Sequence, residues 1–254
     1  LNKKNKSFDD WYEFGSTLLG GFPELQTFGN RAHSYLLDKT YNVVIDNQSI
    51  SYGAVKIQDS FPLVEIMHHP ISKDYYYDLK FAKGILQSIS KIRWYSFLKM
   101  QKRSAKKINV VVTPSMNSKE DIHIDFQVPM ENIQVIPNGI DCDIFCPLPQ
   151  ILSKKNRLIT TASADVPLKG LDFSLEAIAR LKTEYPDIHL MVIGSPRKEG
   201  HTERLLKKLE LENNVSFRTN LTKEEITQEY AQSEAAIVSS LYEGFGFPVG
   251  EAMA

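Results

Sequence analysis

The residues with the clearest capacity for chemistry lie together near the end of the chain, in Glu243-Gly244-Phe245-Gly246-Phe247-Pro248-Val249-Gly250-Glu251. Seven residues separate the two carboxylates, which can accept hydrogen bonds from sugar-like hydroxyls, and the glycines leave backbone N–H groups open to a ligand. If residues 247–254 are helical, Glu251 lies one turn inside the helix and Glu243 precedes it. A helix start favouring acidic residues explains one glutamate but not the whole loop. A second segment, residues 161–170, carries hydroxyls and Lys169 just ahead of an expected helix. Free amides, the helix dipole and an ammonium group would together suit a diphosphate. On that segment alone, an ordinary loop with a solvated lysine is the preferred reading.

Positioning these groups requires a scaffold, and the hydrophobic pattern supplies one. Strands are expected over residues 41–46, 62–68, 109–113 and 133–136, then over 157–161, 189–193, 215–218 and 235–239. Between residues 78 and 107, Phe81, Ile85, Ile89, Ile92, Tyr95 and Leu98 recur at three-to-four spacing, which predicts one long amphipathic helix. Shorter helices are expected over 118–126, 171–184, 202–211 and 223–232, with another at the end of the chain. Short strands alternating with helices imply parallel sheets, and hence an α/β fold whose ligands bind beyond the carboxyl ends of the strands. The Pro- and Lys-containing, aperiodic segment 146–156 is the expected connection, giving domains 1–149 and 150–254.

Composition bounds the function. With 254 residues, 42% of them hydrophobic and 24% charged, the chain can build sizeable cores and is neither fibrous nor disordered. Thirty basic against thirty-one acidic side chains give a net charge of -1, so a nucleic acid is not an expected partner. No apolar run approaches the roughly 20 residues of a membrane span. The only cysteines, Cys142 and Cys146, are too few for a disulfide framework, which fits a reducing compartment and a cytoplasmic location. The first residue is Leu, and residues 251–254 are helix formers with no stop signal after them, so both domains are expected to be incomplete.

Taken together, Glu243 to Glu251 and the Glu251-Ala252-Met253-Ala254 that ends the chain resemble the Glu-x7-Glu signature of glycosyltransferase family 4. Val135-Ile136-Pro137-Asn138-Gly139-Ile140-Asp141 is similar to that family's interdomain segment, Lys169-Gly170 to its phosphate loop, and residues 62–70 to its first-domain strand ending in histidine. The likeness runs from about Tyr41 onward and is faint before it. It implies a GT-B fold of two Rossmann-like domains, with donor bound in the second, acceptor mainly in the first and reaction in the cleft between them. It further implies a retaining, metal-independent hexosyltransferase without a cofactor, using a nucleotide-sugar donor and a glycan or lipid-linked acceptor. By the same resemblance Glu243 and His68 would be catalytic, with His69 the weaker neighbour of His68. Lys169, Ser163, Gly244, Phe245, Gly246, Phe247, Glu251, Arg218, Thr219 and Asn220 would bind the donor. One departure is plain: where the family usually has arginine, five residues before the lysine, this chain has Ala164.

Other features have plainer readings beside functional ones. Asp141-Cys142-Asp143 matches a metal-binding pattern of other glycosyltransferases, but its place at the connection favours surface acids or capping. The span from Leu79 to Lys119 has ten basic side chains and no acidic one. Beside Trp94, Tyr95, Phe97 and Leu98 it could seat the protein on an anionic membrane, and a solvated helix face explains it equally well. Tyr75-Tyr76-Tyr77 could stack on an acceptor sugar, with packing the default. A degenerate, non-catalytic sugar-nucleotide-binding module is the alternative to the enzyme.

Overall fold

The computed structural model describes residues 7–162 and 164–254, which fall into two compact units, residues 1–138 and 139–254. The first unit opens with two helices, α1 (Phe8–Leu18) and α2 (Glu24–Leu36). A reciprocal cap starts α1: the Ser7 hydroxyl accepts from the Asp10 amide, and the Asp10 carboxylate accepts from the Ser7 amide. Then follow β1 (Val44–Asn47), α3 (Tyr52–Gln58), β2 (Leu63–Ile66), α4 (Ser72–Lys80), α5 (Ile85–Trp94), α6 (Leu98–Ala105), β3 (Val111–Thr113), α7 (Met116–Phe126) and β4 (Ile133–Val135). The strands pair in parallel in the order β1-β2-β3-β4. Met67, Ile108, Val111, Ile122, Phe126 and Ile133 are fully buried against the helices.

The single helix expected over residues 78–107 is three helices. Gly84, at φ +85°, ends one path and starts α5, and a 3₁₀ turn over Tyr95–Phe97 separates α5 from α6. These breaks return α5 to α4, where the Asp78 carboxylate accepts from the Lys91 ammonium at 2.8 Å and from the Tyr95 hydroxyl at 3.0 Å. A periodicity count cannot see such a fold-back, because the apolar spacing resumes in phase on each side of the break.

Strand β2 carries an unusual core residue. Glu65 is fully buried, pairs in register with Asp46 of β1, and neither of its oxygens makes a well-aligned hydrogen bond. Burial first, and then the neighbouring Asp46 carboxylate, push its pKa up to about 10, while the amides of Gln48 and Ile50 pull the other way. Glu65 is therefore protonated in the folded chain and ionised in the unfolded one over most of the range between its ordinary 4.5 and about 10. Stability of the first unit is expected to fall across that window as pH rises, by up to about 1.4 kcal/mol per pH unit. Glu65→Gln should remove this slope and raise the urea midpoint at pH 8. Parallel slopes for both proteins between pH 6 and 9 would contradict it.

The second unit comprises β5 (Arg157–Thr161), α8 (Leu171–Leu181), β6 (His189–Ile193), α9 (His201–Lys208), β7 (Val215–Arg218), α10 (Lys223–Ala231), β8 (Ala235–Ala236) and α11 (Phe247–Met253). Its sheet is also parallel, in the order β7-β6-β5-β8. Strand β8 is shorter than the expected 235–239. The division at Asn138–Gly139 lies ahead of the expected 149/150. The reason is packing: buried Phe145 meets the Tyr230 ring, and the Thr227 hydroxyl donates to the Ile144 carbonyl, so this connection belongs to the second unit. Among the described residues, no helix is long and apolar enough to cross a membrane.

Candidate active site

The loop from β5 to α8 and the chain beyond β8 lie at the carboxyl ends of neighbouring parallel strands. Gly170 makes their approach possible. It adopts φ +65°, and a Cβ there would stand 1.9 Å from the Ser239 carbonyl oxygen, so no other residue fits without moving the backbone. The Ser239 hydroxyl donates to the Gly170 carbonyl at 2.8 Å, and the Leu241 amide donates to the Leu168 carbonyl at 2.8 Å. This stitching delivers Lys169 to Glu243, where the ammonium and carboxylate pair at 2.9 Å, both half-buried. Two groups singled out separately in the sequence are thus one ion pair.

Asp165 fixes the other side of the loop, and the sequence reading missed it. Its carboxylate accepts from the amides of Arg197 and Thr202 at 2.7 and 2.8 Å, tying the loop to the one after β6. Burial alone would raise its pKa, but those amides hold it below the usual carboxylate range. The signal was an acid between Ala164 and Val166 with no helix of its own to cap. Ala164, where an arginine was the family expectation, is buried in the apolar core with Leu171, Leu175 and Leu206. Ser163 lies outside the described residues.

Gly246, buried at φ +89°, caps α11, with Pro248 in its first turn. The Phe245 and Phe247 rings meet edge to face at 5.2 Å, and Gly244 is half-buried beside them. Glu251 sits inside α11 near Tyr230 and Lys223 rather than in the Lys169–Glu243 pair. Burial raises its pKa, and the Lys223 charge and the Tyr230 hydroxyl oppose the rise. Tyr230 was not anticipated. Arg218, expected beside a nucleotide base, gives its guanidinium to buried Glu229, which also binds Arg157; Thr219 and Asn220 are exposed in the loop that follows.

In the first unit His68 is exposed just beyond β2. Its Nε2 lies 2.8 Å from the Asn47 Oδ1, and its amide donates to the Gln48 side chain at 2.9 Å. His69 is turned away to Asp74, at 2.7 Å. The metal-like pattern at residues 141–143 has a different use. Asp141 accepts at its carbonyl from the Ile144 and Phe145 amides and lies 3.7 Å from Lys223. Cys142 and Cys146 are free thiols, and among the described residues no group of three His, Cys, Asp or Glu side chains could hold a metal ion.

Two family models divide the chain much as the structure does. The model of Glycosyltransferase Family 4 matches residues 13–144, and that of Glycosyl transferases group 1 matches residues 149–254. The chain belongs to glycosyltransferase family 4. Its likeness to the family therefore begins well before Tyr41, in α1. The MMP alpha-(1->4)-mannosyltransferase of Mycolicibacterium hassiacum is 39% identical over 252 residues, 98% of this chain and 60% of that protein. The O-antigen chain mannosyltransferase RfbU of Salmonella typhimurium is 28% identical over 168 residues, 65% of this chain and 44% of that one. The chain thus spans well under two thirds of either relative. Among solved structures, sucrose-phosphate synthase from Thermosynechococcus elongatus matches with TM-score 0.68 at 20% identity, covering 89% of this chain and 57% of that one. Anabaena HepE in complex with UDP-glucose matches with TM-score 0.68 at 20% identity, covering 91% and 62%. At this identity the glycosyltransferase family 4 chain shares with them the GT-B type of fold.

Proposed function

We propose that the chain serves a retaining hexosyltransferase that moves a hexosyl group from a nucleotide-diphosphate sugar to a hydroxyl of a glycan or lipid-linked acceptor. The observation that carries this reading is the Lys169–Glu243 pair at the carboxyl ends of neighbouring parallel strands. Breaking a sugar–phosphate bond leaves negative charge on the diphosphate and builds positive charge at the anomeric carbon. A cation and an anion already held side by side match both.

In this reading Lys169 meets the diphosphate and Glu243 turns to the donor sugar. Glu251 binds the ribose hydroxyls, and the backbone of Gly244 to Phe247 contacts sugar or phosphate. Ser163 adds a phosphate contact, residues 218–220 flank the base, and His68 of the first unit aligns the donor sugar. The departing phosphate assists deprotonation of the acceptor, and neither a metal nor a cofactor is needed. The 39% identity to a protein named as a mannosyltransferase supports hexosyl transfer. Thermal shift with UDP-, GDP- and ADP-sugars on the protein at the length of its relatives tests the donor class. One of them should stabilise the protein and undergo transfer; no shift with any would overturn the reading. Binding without turnover would instead favour a degenerate binding module, which the apolar burial of Ala164 makes the specific alternative.

The location we propose is cytoplasmic and peripheral, on the inner face of a membrane, through residues 79–119. Helix α5 exposes Ile85, Leu86, Ile89 and Trp94 within that basic span, which has no acidic side chain. Binding to anionic vesicles at low salt, weakened by reversing Lys83 and Lys91, is the expected result. Absence of binding at low salt would reject it.

A further inference from the structure

The turn between β1 and α3 holds more constraint than a connection requires. Gln48 and Ile50 adopt φ +66° and +46°, conformations that cost non-glycine residues free energy, most of all a β-branched one. Ile50 is nonetheless almost completely buried in the first core. The Asp46 carboxylate accepts from both the amide and the hydroxyl of Ser49, buried Gln101 donates to the Ser49 carbonyl at 3.3 Å, and Ser51 caps α3. Such strain persists only where the surroundings over-determine it.

The residues this turn presents all grip the end of β2. Gln48 accepts from the His68 amide and donates to the His69 carbonyl at 3.2 Å, and Asn47 meets the His68 ring. The Ser118 hydroxyl of α7 donates to the His68 carbonyl at 3.3 Å. Asp74 of α4 is engaged by His69. An amide oxygen can only accept, so the Asn47 contact requires a proton on Nε2 of His68. In the neutral ring Nδ1 is then the lone-pair nitrogen, and it makes no hydrogen bond to any described residue.

We propose that Asn47, set by the strained turn after β1, is the positioning residue for His68, fixing the ring so that Nδ1 accepts from a ligand hydroxyl. The inference rests on the transfer reading only for the identity of that hydroxyl, which would belong to the donor sugar; the positioning itself stands without it. Nitrogen-detected NMR of His68 in the complete protein tests it. Wild type should show Nε2 protonated with a single ring environment. Asn47→Asp, which keeps an acceptor at that position, should keep the single ring environment, and Asn47→Leu should leave two exchanging ring environments. In a transfer assay Asn47→Leu should lose about tenfold or more in kcat with KM little changed, and Asn47→Asp, which restores an acceptor for the Nε2 proton, should recover much of it. A single, unchanged His68 ring environment in Asn47→Leu, in a protein with wild-type melting, would overturn the positioning role. Two ring environments in Asn47→Leu with no turnover in any protein, wild type included, would instead count against the transfer reading alone.

Discussion

Replacing Lys169 with alanine should slow glycosyl transfer by about 10²–10³-fold, the usual consequence of removing one preorganised donor from a developing negative charge. Two effects add. The diphosphate loses its ammonium partner, and Glu243, paired with that ammonium at 2.9 Å, is left as an uncompensated anion where further negative charge must form. With Ala164 buried among apolar side chains, the family's arginine position supplies no second cation. Lys169→Arg should recover part of the rate, because it restores the charge but not the compact geometry. Single-turnover transfer at saturating donor is the measurement, and a loss of less than about threefold would remove Lys169 from the reacting centre.

Glu229→Ala should destabilise the second unit by about 3–5 kcal/mol, the range for breaking a buried ion pair and stranding its partner. Glu229 and Arg157 are almost wholly buried, and one carboxylate serves both Arg157 and Arg218. Burial alone would raise the Glu229 pKa, but the two guanidinium groups outweigh it and hold it low. A depressed carboxylate contributes stability above its unfolded pKa and loses it as pH falls through the folded one, so wild type should weaken on the acid side. The variant should lose most of that acid dependence along with the neutral-pH stability. Urea unfolding at pH 7 and pH 4 checks both, and a variant within 1 kcal/mol of wild type at pH 7 would show the cluster to be dispensable.

The same cluster marks where sequence reading stops. Strands 157–161, 189–193 and 215–218 were legible to the residue, because each is a short apolar run bounded by turn formers. Arg218 was legible as the end of such a strand but not as a ligand of Glu229, since ten residues and a helix start separate them. In the first unit the apolar period ran unbroken through Gly84, and only the backbone shows that glycine as a turn. Ser7 with Asp10 announced α1, yet that signal went unread. At the candidate site, Lys169 and Glu243 were each recognisable by type and spacing. Their contact was not, because it depends on the order in which strands are laid side by side. Tyr230 and Asn47 were invisible for the same reason, and Asp165 showed only as an isolated acid: each matters through a neighbour brought from another element.

Gly170 carries a consequence beyond the turn it permits. Because its backbone abuts Ser239, the lysine-bearing loop and the segment leading to Glu243 are joined as one mechanical part. If the chain binds a donor sugar there, as proposed, a change of sugar preference sought by mutating either member would disturb the other. Selection acting on donor choice would find independent freedom elsewhere, in the exposed loop of Thr219 and Asn220 or in the helix that carries Glu251.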